Sequence, residues 1–564
     1  MGCAKSVEVK KSIASQRRIS NTKIKQLDWY DKDDKNETTI ASIENIDFFY
    51  EIIKPLGKGT YGCVYLAKQK REPQREVAVK VIGLNNIDKL PLQYIKREVQ
   101  ISKILDHPNI IKFIETYIDK KNIYIVMEYC SGGSLLEWTF KEGDVLDVMK
   151  KLFQAVNYMH SRNIIHRDLK LENILFESES QNSDIKIIDF GLAKKVEDDD
   201  RRHTMVGSVA YMAPEVMFNK TYNKSCDIWS LGIIMYRLIC GQLPFKSQQQ
   251  IHQAKLYFDH PIWKTISKEG KDLLRRMIVY NPKIRITIQD ALKHKWFSLR
   301  NTTLKLTQVI KKSHNLKLLD RLSHYNYLNQ FKKEVISIFI KNFLSKKKEL
   351  HIRNIFRSLD EEQKGYMTQE DLQDIMEKVG IQTNEQSKSF CNNFLRQFTN
   401  NSKEEQQQLQ HADILQYSDF LSACLGQDIL QDKECLMEVF NYIDADQNGY
   451  INEDDIKTAL QREGRQLFEI KFMDLISEID FYFDQNRRLN FDRFCSCVGC
   501  TKSIVQLNKL TNSGQSNSDS SESIKSKIAS SEKLDKNKVQ NHQQEQVDQQ
   551  LEKQVFKDKS ELNE

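Results

Sequence analysis

The segment LGKGTYGCVYLA constrains the fold of this chain most, because it joins a glycine pattern to a strand. Gly57, Gly59 and Gly62 have G-x-G-x-x-G spacing, and the β-branched run GCVYLA follows directly. A dinucleotide-binding loop of the same spacing would open a helix instead. Because glycine carries no Cβ, such a hairpin can approach the oxygens of a triphosphate closely. The segment therefore predicts a phosphate-binding hairpin.

Further motifs follow in order, and each carries a group suited to phosphoryl transfer. In VAVK, Lys80 leaves a predicted strand as a point charge for the α- and β-phosphates, and Glu98 on a predicted helix could pair with it. In IIHRDLKLENILF, Asp168 can accept a hydroxyl proton and Asn173 can ligate Mg²⁺, while Asp189 in IIDFGLA supplies a second ligand. Phosphoryl transfer is mainly positioning and charge stabilisation, so it needs these groups around one nucleotide.

With MAPE (Ala213, Pro214 and Glu215) after them, these motifs resemble the eukaryotic protein kinase family over roughly 250 residues. The resemblance implies a bilobal fold, ATP and Mg²⁺ as cofactors, and a hinge whose backbone binds the adenine. The residues that it implies around ATP are Leu56, Gly57, Lys58, Gly59, Thr60, Tyr61, Gly62, Cys63, Val64, Ala78, Lys80, Met127, Glu128 and Cys130.

The resemblance also implies roles outside the nucleotide site. Lys170 stands where serine/threonine kinases place a lysine that reaches the transferred phosphate, so the expected substrate hydroxyl is Ser or Thr. Glu215 and Arg285 are expected to form a buried pair, and Asp227 to brace the catalytic loop. Ser134 replaces a carboxylate that many basic-directed kinases carry, which puts an arginine preference in doubt.

The activation segment contains VEDDDRRHTMVGS, with Thr204 as a phosphorylation candidate and Ser208 where threonine is common. Arg167 beside the catalytic Asp168 normally needs an anion from this segment. Either the carboxylates of residues 198–200 partly replace a phosphate on Thr204, or the acidic run is simply solvated.

A second kind of site lies far downstream in DADQNGYINEDD, which has the spacing of an EF-hand calcium loop. Such a loop takes ligands from positions 1, 3, 5, 7, 9 and 12, with Gly at 6. Here those ligands are Asp444, Asp446, Asn448, the Tyr450 carbonyl, Asn452 and Asp455. Asp at position 12 is shorter than the usual bidentate Glu, which weakens calcium binding. Ile451 at position 8 is expected to pair with a partner loop.

Three relatives of this loop have lost ligands. DEEQKGYMTQED puts Lys364 among them, so any binding there is weak at best. In the next repeat Gln408, Gln410 and Ala412 occupy the first positions. In the last, Arg487 replaces the Gly and Arg493 the final acid.

A kinase followed by a junction and four EF-hands resembles the calcium-dependent protein kinase family. In that family the junction blocks the substrate groove until the calcium-loaded domain captures it. Here the junction carries Leu328, Phe331, Val335, Ile338 and Phe339 near one face, with lysines around it, the pattern of a calmodulin target. The alternative is a helix that merely packs two domains together.

The chain begins MGCAKS, so Gly2 matches an N-myristoylation pattern and Cys3 offers a thiol for palmitoylation. Two acyl chains, or one with a basic tail, give stable membrane anchoring. We expect attachment to the cytosolic face of a membrane, and the alternative is an ordinary basic tail. An odd count of 11 cysteines without framework spacing favours a reducing compartment and free thiols. The net charge of +7 is small for a chain of this size, and we expect no nucleic-acid partner.

The expected fold is thus an α+β bilobal kinase followed by an all-α, calmodulin-like EF-hand domain, between disordered termini. The predicted domains are a tail (1–45), a kinase domain (49–297), an autoinhibitory junction (302–348), an EF-hand domain (349–500) and a C-terminal tail (501–564). Three functions remain open: a calcium-regulated serine/threonine kinase, a constitutive kinase with a calcium-insensitive docking module, and a catalytically silent calcium-sensing scaffold.

Overall fold

The computed structural model describes residues 46–58, 62–70, 74–84, 92–119, 121–138, 140–180, 183–195, 209–218, 223–299, 318, 321–322, 324–325, 328–360, 364–378, 414–462 and 469–499. Several predictions of site residues lie outside these ranges, namely those for Gly2, Cys3, Gly59, Thr60, Tyr61, Thr204, Ser208, Gln408, Gln410 and Ala412. Both predicted tails, 1–45 and 501–564, also lie outside them.

The first lobe is a five-stranded antiparallel sheet with strand order β1-β2-β3-β5-β4. Its strands are β1 (Tyr50–Lys58), β2 (Cys63–Gln69), β3 (Glu76–Gly83), β4 (Phe113–Ile118) and β5 (Asn122–Glu128), with helix α1 (Leu92–Ile104) before β4. In β3, Val77 and Val79 pack in one apolar cluster with Phe49 and Tyr50. Because side chains alternate across a strand, Ala78 and Lys80 point to the other face, toward the nucleotide cleft.

The second lobe is mostly helical. Its α-helices are α2 (Glu142–Ser161), α3 (Pro214–Met217), α4 (Ser225–Cys240), α5 (Gln248–Gln253), α6 (Lys268–Met277) and α7 (Ile288–Leu292). Its short strands are β6 (Ile164–Ile165), β7 (Ile174–Phe176), β8 (Ile185–Ile187) and β9 (Lys194–Lys195). Helix α4 contains the most apolar run of the sequence and is buried on nearly every side, because it packs between α2 and α6.

Buried polar pairs complete this lobe. Arg285 donates from Nη1 to Oε1 of Glu215 over 2.7 Å and from Nη2 to Oε2 over 3.0 Å. Both side chains are almost fully buried, so removing either partner would leave an uncompensated charge in the core. This is the pair that the sequence predicts.

In the C-terminal part, the regular structure of the described residues is helical apart from two short strands. Its helices are α8 (Gln330–Asn342), α9 (Lys346–Leu359), α10 (Gln369–Lys378), α11 (Tyr417–Gln431), α12 (Lys433–Ile443), α13 (Glu453–Arg462), α14 (Glu469–Ser477) and α15 (Phe491–Val498). The strands β10 (Tyr366–Met367) and β11 (Leu415–Gln416) join the first two loops. Ile451 and Leu489 exchange backbone hydrogen bonds of 2.8 Å and join the last two.

Helix α8, the described helix of the junction, lies inside the core of this helical part. Phe331, Val335, Ile338 and Phe339 are buried, as an amphipathic target helix requires, and Leu328 is partly buried. Ile336 is buried as well, so EF-hand helices surround α8 on more than the one face that the sequence predicts.

The boundary between junction and EF-hand domain needs correction. Helix α9 begins at Lys346 with Ser345 as its N-cap, so the predicted division between residues 348 and 349 falls inside a helix. Ser345 stops the preceding segment because its hydroxyl satisfies a backbone N–H of the first turn of α9. The predicted fold class, a bilobal kinase with a helical EF-hand domain after it, is confirmed. None of the described helices is both long enough and apolar enough to cross a membrane.

Candidate active site and regulatory contacts

The cleft is organised around Lys80, which pairs with Glu98 of α1 and lies 3.0 Å from Oδ1 of Asp189. Lys80 and Glu98 are both buried. Burial lowers the pKa of Lys80, but the two carboxylates outweigh it and raise that pKa well above its ordinary value. The ammonium therefore stays charged, as a group that binds phosphate must.

The catalytic loop gathers three more predicted residues. Lys170 Nζ lies 2.7 Å from Oδ2 of Asp168. Asn173 donates from Nδ2 to the backbone oxygen of Asp168 over 2.9 Å and to its Oδ2 over 3.1 Å. The amide nitrogen of Asn173 is thus occupied, and its Oδ1 is the atom suited to a cation. Asn173 and Asp189 fit a Mg²⁺ site, and the ion would neutralise charge on the transferred phosphate.

A buried carboxylate shapes this loop from beneath. The backbone N–H groups of His166 and Arg167 each donate to Asp227 over 3.0 Å, and His160 Nε2 lies 2.9 Å from the same carboxylate. These contacts hold Arg167 at a φ of 69°, in the left-handed region that costs energy for a non-glycine residue. Asp227 therefore has the bracing position that the sequence predicts.

The adenine end of the cleft is apolar and continuous with the hinge. In the strand register Ala78 pairs with Met127 and Lys80 with Val64. The backbone N–H of Glu128 donates to Lys112 over 3.0 Å, and Lys186 Nζ lies 2.7 Å from Glu128 Oε1. These contacts fix the position of the hinge, the segment from Glu128 to Cys130 at the end of β5. A Cβ added at Gly62 would lie 2.1 Å from the Val81 oxygen, so only glycine fits there.

The Asp444 loop has the backbone of an EF-hand. Asp444 accepts hydrogen bonds from the N–H groups of Asn448 (3.1 Å) and Gly449 (2.9 Å), and Gly449 has a φ of 81°. Burial and the neighbouring Asp446 raise the pKa of Asp444 above its ordinary value, as expected where acids gather for a cation. Asn452 N donates to Oδ2 of Asp455 over 3.0 Å.

The donor set of this loop suits calcium, since carboxylate, amide and backbone oxygens are its ligands. No three Asp, Glu, His or Cys side chains among the described residues form a metal-binding group by themselves. The loop would therefore need Asn448 and the Tyr450 carbonyl to complete a coordination shell, as its spacing predicts.

The paired loops are less suited to a metal. Arg487 occupies the glycine position of the last loop at a φ of 54° and pairs with Glu453 and Asp480. In the first loop Lys364 pairs with Asp371. Met367 pairs with Leu415 across β10 and β11, which supports the alignment that places Gln408 first in the second loop.

Comparisons with known proteins agree with this architecture. The family described as protein kinase domain matches residues 50–297. Calcium-dependent protein kinase 5 of Plasmodium falciparum is 32% identical over 488 residues, which cover 83% of this chain and 82% of the relative. The chain belongs to the calcium-dependent protein kinase family. The predicted family and the prediction of a serine/threonine protein kinase are confirmed.

Other members of the family align over similar lengths. Calcium-dependent protein kinase 3 of Plasmodium berghei is 32% identical over 479 residues, 80% of this chain and 81% of the relative. Calcium-dependent protein kinase 19 of Oryza sativa is 29% identical over 473 residues, 81% of this chain and 83% of the relative. The likeness therefore extends through the kinase domain into the EF-hand domain.

In this member of the calcium-dependent protein kinase family, the EF-hand domain contacts the kinase through residues that sequence reasoning missed. Arg353 of α9 is buried and donates to Glu177 Oε2 (2.7 Å), Asp184 Oδ2 (3.0 Å) and Glu349 Oε1 (2.7 Å). Arg357 adds a second contact to Asp184 over 3.0 Å. Burial opposes ionisation, but Arg357, Lys151 and Arg353 hold the pKa of Asp184 far below its ordinary value. The interface is therefore ionic.

The junction helix also contacts the kinase. At the C-terminal end of α8, Lys112 Nζ donates to the Ile340 oxygen over 2.9 Å, and Arg75 donates to the Asn342 oxygen over 2.5 Å. Lys346 Nζ donates to the oxygen of Tyr129 in the hinge over 3.1 Å. Cations placed on the last carbonyls of a helix complement its dipole. The end of α8 therefore contacts the sheet lobe of the kinase, and the start of α9 contacts the hinge.

Proposed function

We propose that this chain is a calcium-activated serine/threonine kinase in which the Asp444 loop reports calcium to the kinase domain. The observation that carries the proposal is the position of Tyr442, two residues before Asp444. Its hydroxyl donates to Oε2 of Glu115 in β4 over 3.0 Å, and Glu115 also accepts from Tyr50 at the start of β1. A change in the conformation of the calcium loop can therefore move Tyr442, which is two residues away, and so alter a buried contact with the kinase sheet.

The exit helix of the same EF-hand reinforces this contact. Arg462, the last residue of α13, is fully buried. It donates to the Tyr442 oxygen over 3.1 Å, and its guanidinium lies 4.6 Å from the ring centroid of Phe49. Both helices that flank the Asp444 loop thus end at one kinase surface. EF-hand sensors respond to calcium by changing the angle between such helices.

For the chemistry, we assign Lys80 to the α- and β-phosphates of ATP, Asp168 to the proton of the substrate hydroxyl, and Lys170 to the transferred phosphate. The contact of Lys170 with Asp168, and those of Lys80 with Glu98 and Asp189, support the assignment. Leu56 to Val64, Ala78, Met127, Glu128 and Cys130 would enclose the nucleotide. Phosphate on Thr204, or the acidic run before it, would supply the anion for Arg167.

For regulation, we propose that the junction is autoinhibitory when calcium is absent and that the EF-hand domain captures it when calcium binds. Burial of Phe331, Val335 and Ile338 among EF-hand helices supports capture. Acylation at Gly2 and Cys3 would hold the kinase at the cytosolic face of a membrane. Incorporation of labelled myristate into the wild type and not into Gly2→Ala would test that part.

The decisive experiment measures peptide phosphorylation in calcium and in chelator, for the wild type and for Asp444→Ala. We expect calcium to raise the wild-type rate and Asp444→Ala to lose that response. Equal rates in every case would favour the second candidate, a constitutive kinase with a calcium-insensitive docking module. The Lys364–Asp371 pair supports that candidate, because it occupies ligand positions of the first loop. No rate in any case would favour a silent scaffold.

A further inference from the structure

The first EF-hand loop holds a cation of its own. Lys364, at loop position 5, places Nζ 2.9 Å from Oδ2 of Asp371 and 3.2 Å from its Oδ1. Asp371 stands at position 12, whose carboxylate normally takes calcium with both oxygens. Here the ammonium meets both oxygens instead. Oδ2 of Asp371 also accepts from the N–H of Thr368 over 2.7 Å, so the carboxylate is well satisfied.

This loop has the same backbone arrangement as the Asp444 loop. Asp360 accepts from the N–H groups of Lys364 (2.8 Å) and Gly365 (2.7 Å), and Gly365 has a φ of 80°. In the other loop, Asp444 accepts from Asn448 and Gly449 in the same way. The first loop therefore has a calcium-loop conformation together with an internal ion pair where the metal ligands would converge.

The loop that Lys364 closes is itself part of the contact with the kinase. A Cβ added at Gly365 would lie 2.3 Å from Cδ2 of His107 and 3.1 Å from Cδ2 of Tyr158. The guanidinium of Arg162 lies 3.8 Å from the ring centroid of Tyr158 and 5.6 Å from that of Tyr366. The backbone can approach His107 this closely only because residue 365 is a glycine. The turn at Gly365 is in turn held by the hydrogen bonds to Asp360 and by the Lys364–Asp371 pair.

The neighbouring helices are anchored without any metal ligand. On the entry side, α9 carries Arg353 and Arg357 to Glu177 and Asp184. On the side of the paired EF-hand, the N–H of Ser418 in α11 donates to Oδ2 of Asp106 over 2.8 Å. Three elements of the first EF-hand pair thus contact the helical lobe of the kinase and the turn before β4, and every group in these contacts belongs to the protein.

We infer that Lys364 acts as a built-in cation that replaces calcium in the first loop and keeps the first EF-hand pair docked on the kinase whether or not calcium is present. The inference rests on the proposed calcium activation, because it leaves the second pair, with the Asp444 loop, as the part that responds. The EF-hand domain would then work as a fixed half and a switching half.

The test measures hydrogen exchange of the α9 backbone, residues 346–359, in the full-length protein with calcium and with chelator. We expect equal protection of the wild type in both conditions. Lys364→Met removes the ammonium but keeps the length of the side chain, so protection of α9 should fall by roughly tenfold or more in both. Lys347→Met, the same change at an exposed position of α9, is the control and should behave as the wild type.

Lys364→Asp gives the loop an acidic ligand at position 5 and is the second variant. We expect it to protect α9 only in calcium, and to bind one more calcium ion per chain than the wild type in a titration. Protection of wild-type α9 in calcium alone, or unchanged protection in Lys364→Met, would overturn the inference. Equal kinase rates with and without calcium, with α9 protected in both, would reject calcium activation and leave the role of Lys364 intact.

Discussion

Tyr442 of the third EF-hand and Glu115 of the kinase sheet share a buried hydrogen bond of 3.0 Å across 327 residues of sequence. Burial raises the pKa of Glu115 above its ordinary value, while the hydroxyl of Tyr50 and the guanidinium of Arg462 oppose that rise. The carboxylate is therefore stabilised jointly by the first strand of the kinase and by both helices of one EF-hand.

Removing the Tyr442 hydroxyl should weaken the response to calcium. Tyr442→Phe keeps the ring packed and leaves Glu115 its bond from Tyr50, so the loss is about 1 kcal/mol. If the contact belongs to the active state, the calcium concentration for half-maximal peptide phosphorylation should rise about fivefold. Tyr257→Phe, at an exposed tyrosine, should leave it unchanged. An unaltered midpoint in Tyr442→Phe would show that this contact does not transmit calcium binding.

Substitution of Arg353 should lower stability more than substitution of any other single residue described at the interface. Arg353→Ala leaves the buried carboxylates of Glu177 and Glu349 without their shared cation, and breaking such a pair costs about 3–5 kcal/mol. In Arg353→Ala we expect two separate urea transitions, with the EF-hand domain unfolding at a lower urea concentration than the kinase domain. Tryptophan fluorescence and far-UV circular dichroism would detect them. Arg276→Ala breaks an exposed pair with Asp272, and its effect should stay within about 0.5 kcal/mol.

The interface should also weaken in acid. Burial favours the neutral form of Glu349, but Arg353 and Lys112 outweigh it and lower its pKa from 4.5 to about 2. A lowered pKa means that the contribution of Glu349 to stability is complete above pH 4.5 and is lost as the pH falls toward 2. The protection factor of the α9 amides, which compares their exchange rate with the intrinsic rate at the same pH, should therefore fall over that interval. Glu349→Gln should show weaker protection at neutral pH and a shallower change in acid.

Asp168→Asn should separate catalysis from regulation. The amide cannot accept the substrate proton, and a positioned general base contributes about 10²- to 10⁴-fold to rate, so phosphorylation should fall by that factor. The hydrogen-exchange response to calcium should stay intact, because the contacts described above between the EF-hand helices and the kinase use other residues. Asp259→Asn, at an exposed position, should keep full activity. A phosphorylation rate in Asp168→Asn equal to that of the wild type would reject Asp168 as the general base.

Much of the active site could be predicted from sequence because its residues lie in short motifs with fixed spacing. Asp168, Lys170 and Asn173 fall within six consecutive positions, so one catalytic loop brings them together. The pair of Lys80 with Glu98 joins a predicted strand to a predicted helix and was proposed from those two motifs. The pair of Glu215 with Arg285 spans a longer distance and was predicted through the family resemblance. The EF-hand loop from Asp444 to Asp455 is likewise a local pattern whose ligands are read by position.

The interface between the two domains could not be predicted in this way. Arg353 and Arg357 lie on a polar-looking helix, where charged residues usually face water, and Glu177 and Asp184 lie in a hairpin with no motif. Lys364 was predicted to disfavour calcium, but its pairing with Asp371 requires the folded loop. Their burial depends on which surface of the kinase meets α9, and nothing in the local sequence encodes that choice.

The sequence by itself determined the chemistry of this protein, namely a kinase cleft and one calcium loop with a full set of ligands, because those sites are built from adjacent residues. The tertiary structure decided how the two are connected. It brought Tyr442 to Glu115 and Arg353 to Asp184, contacts between residues far apart in the chain whose charges become decisive only when folding removes them from water.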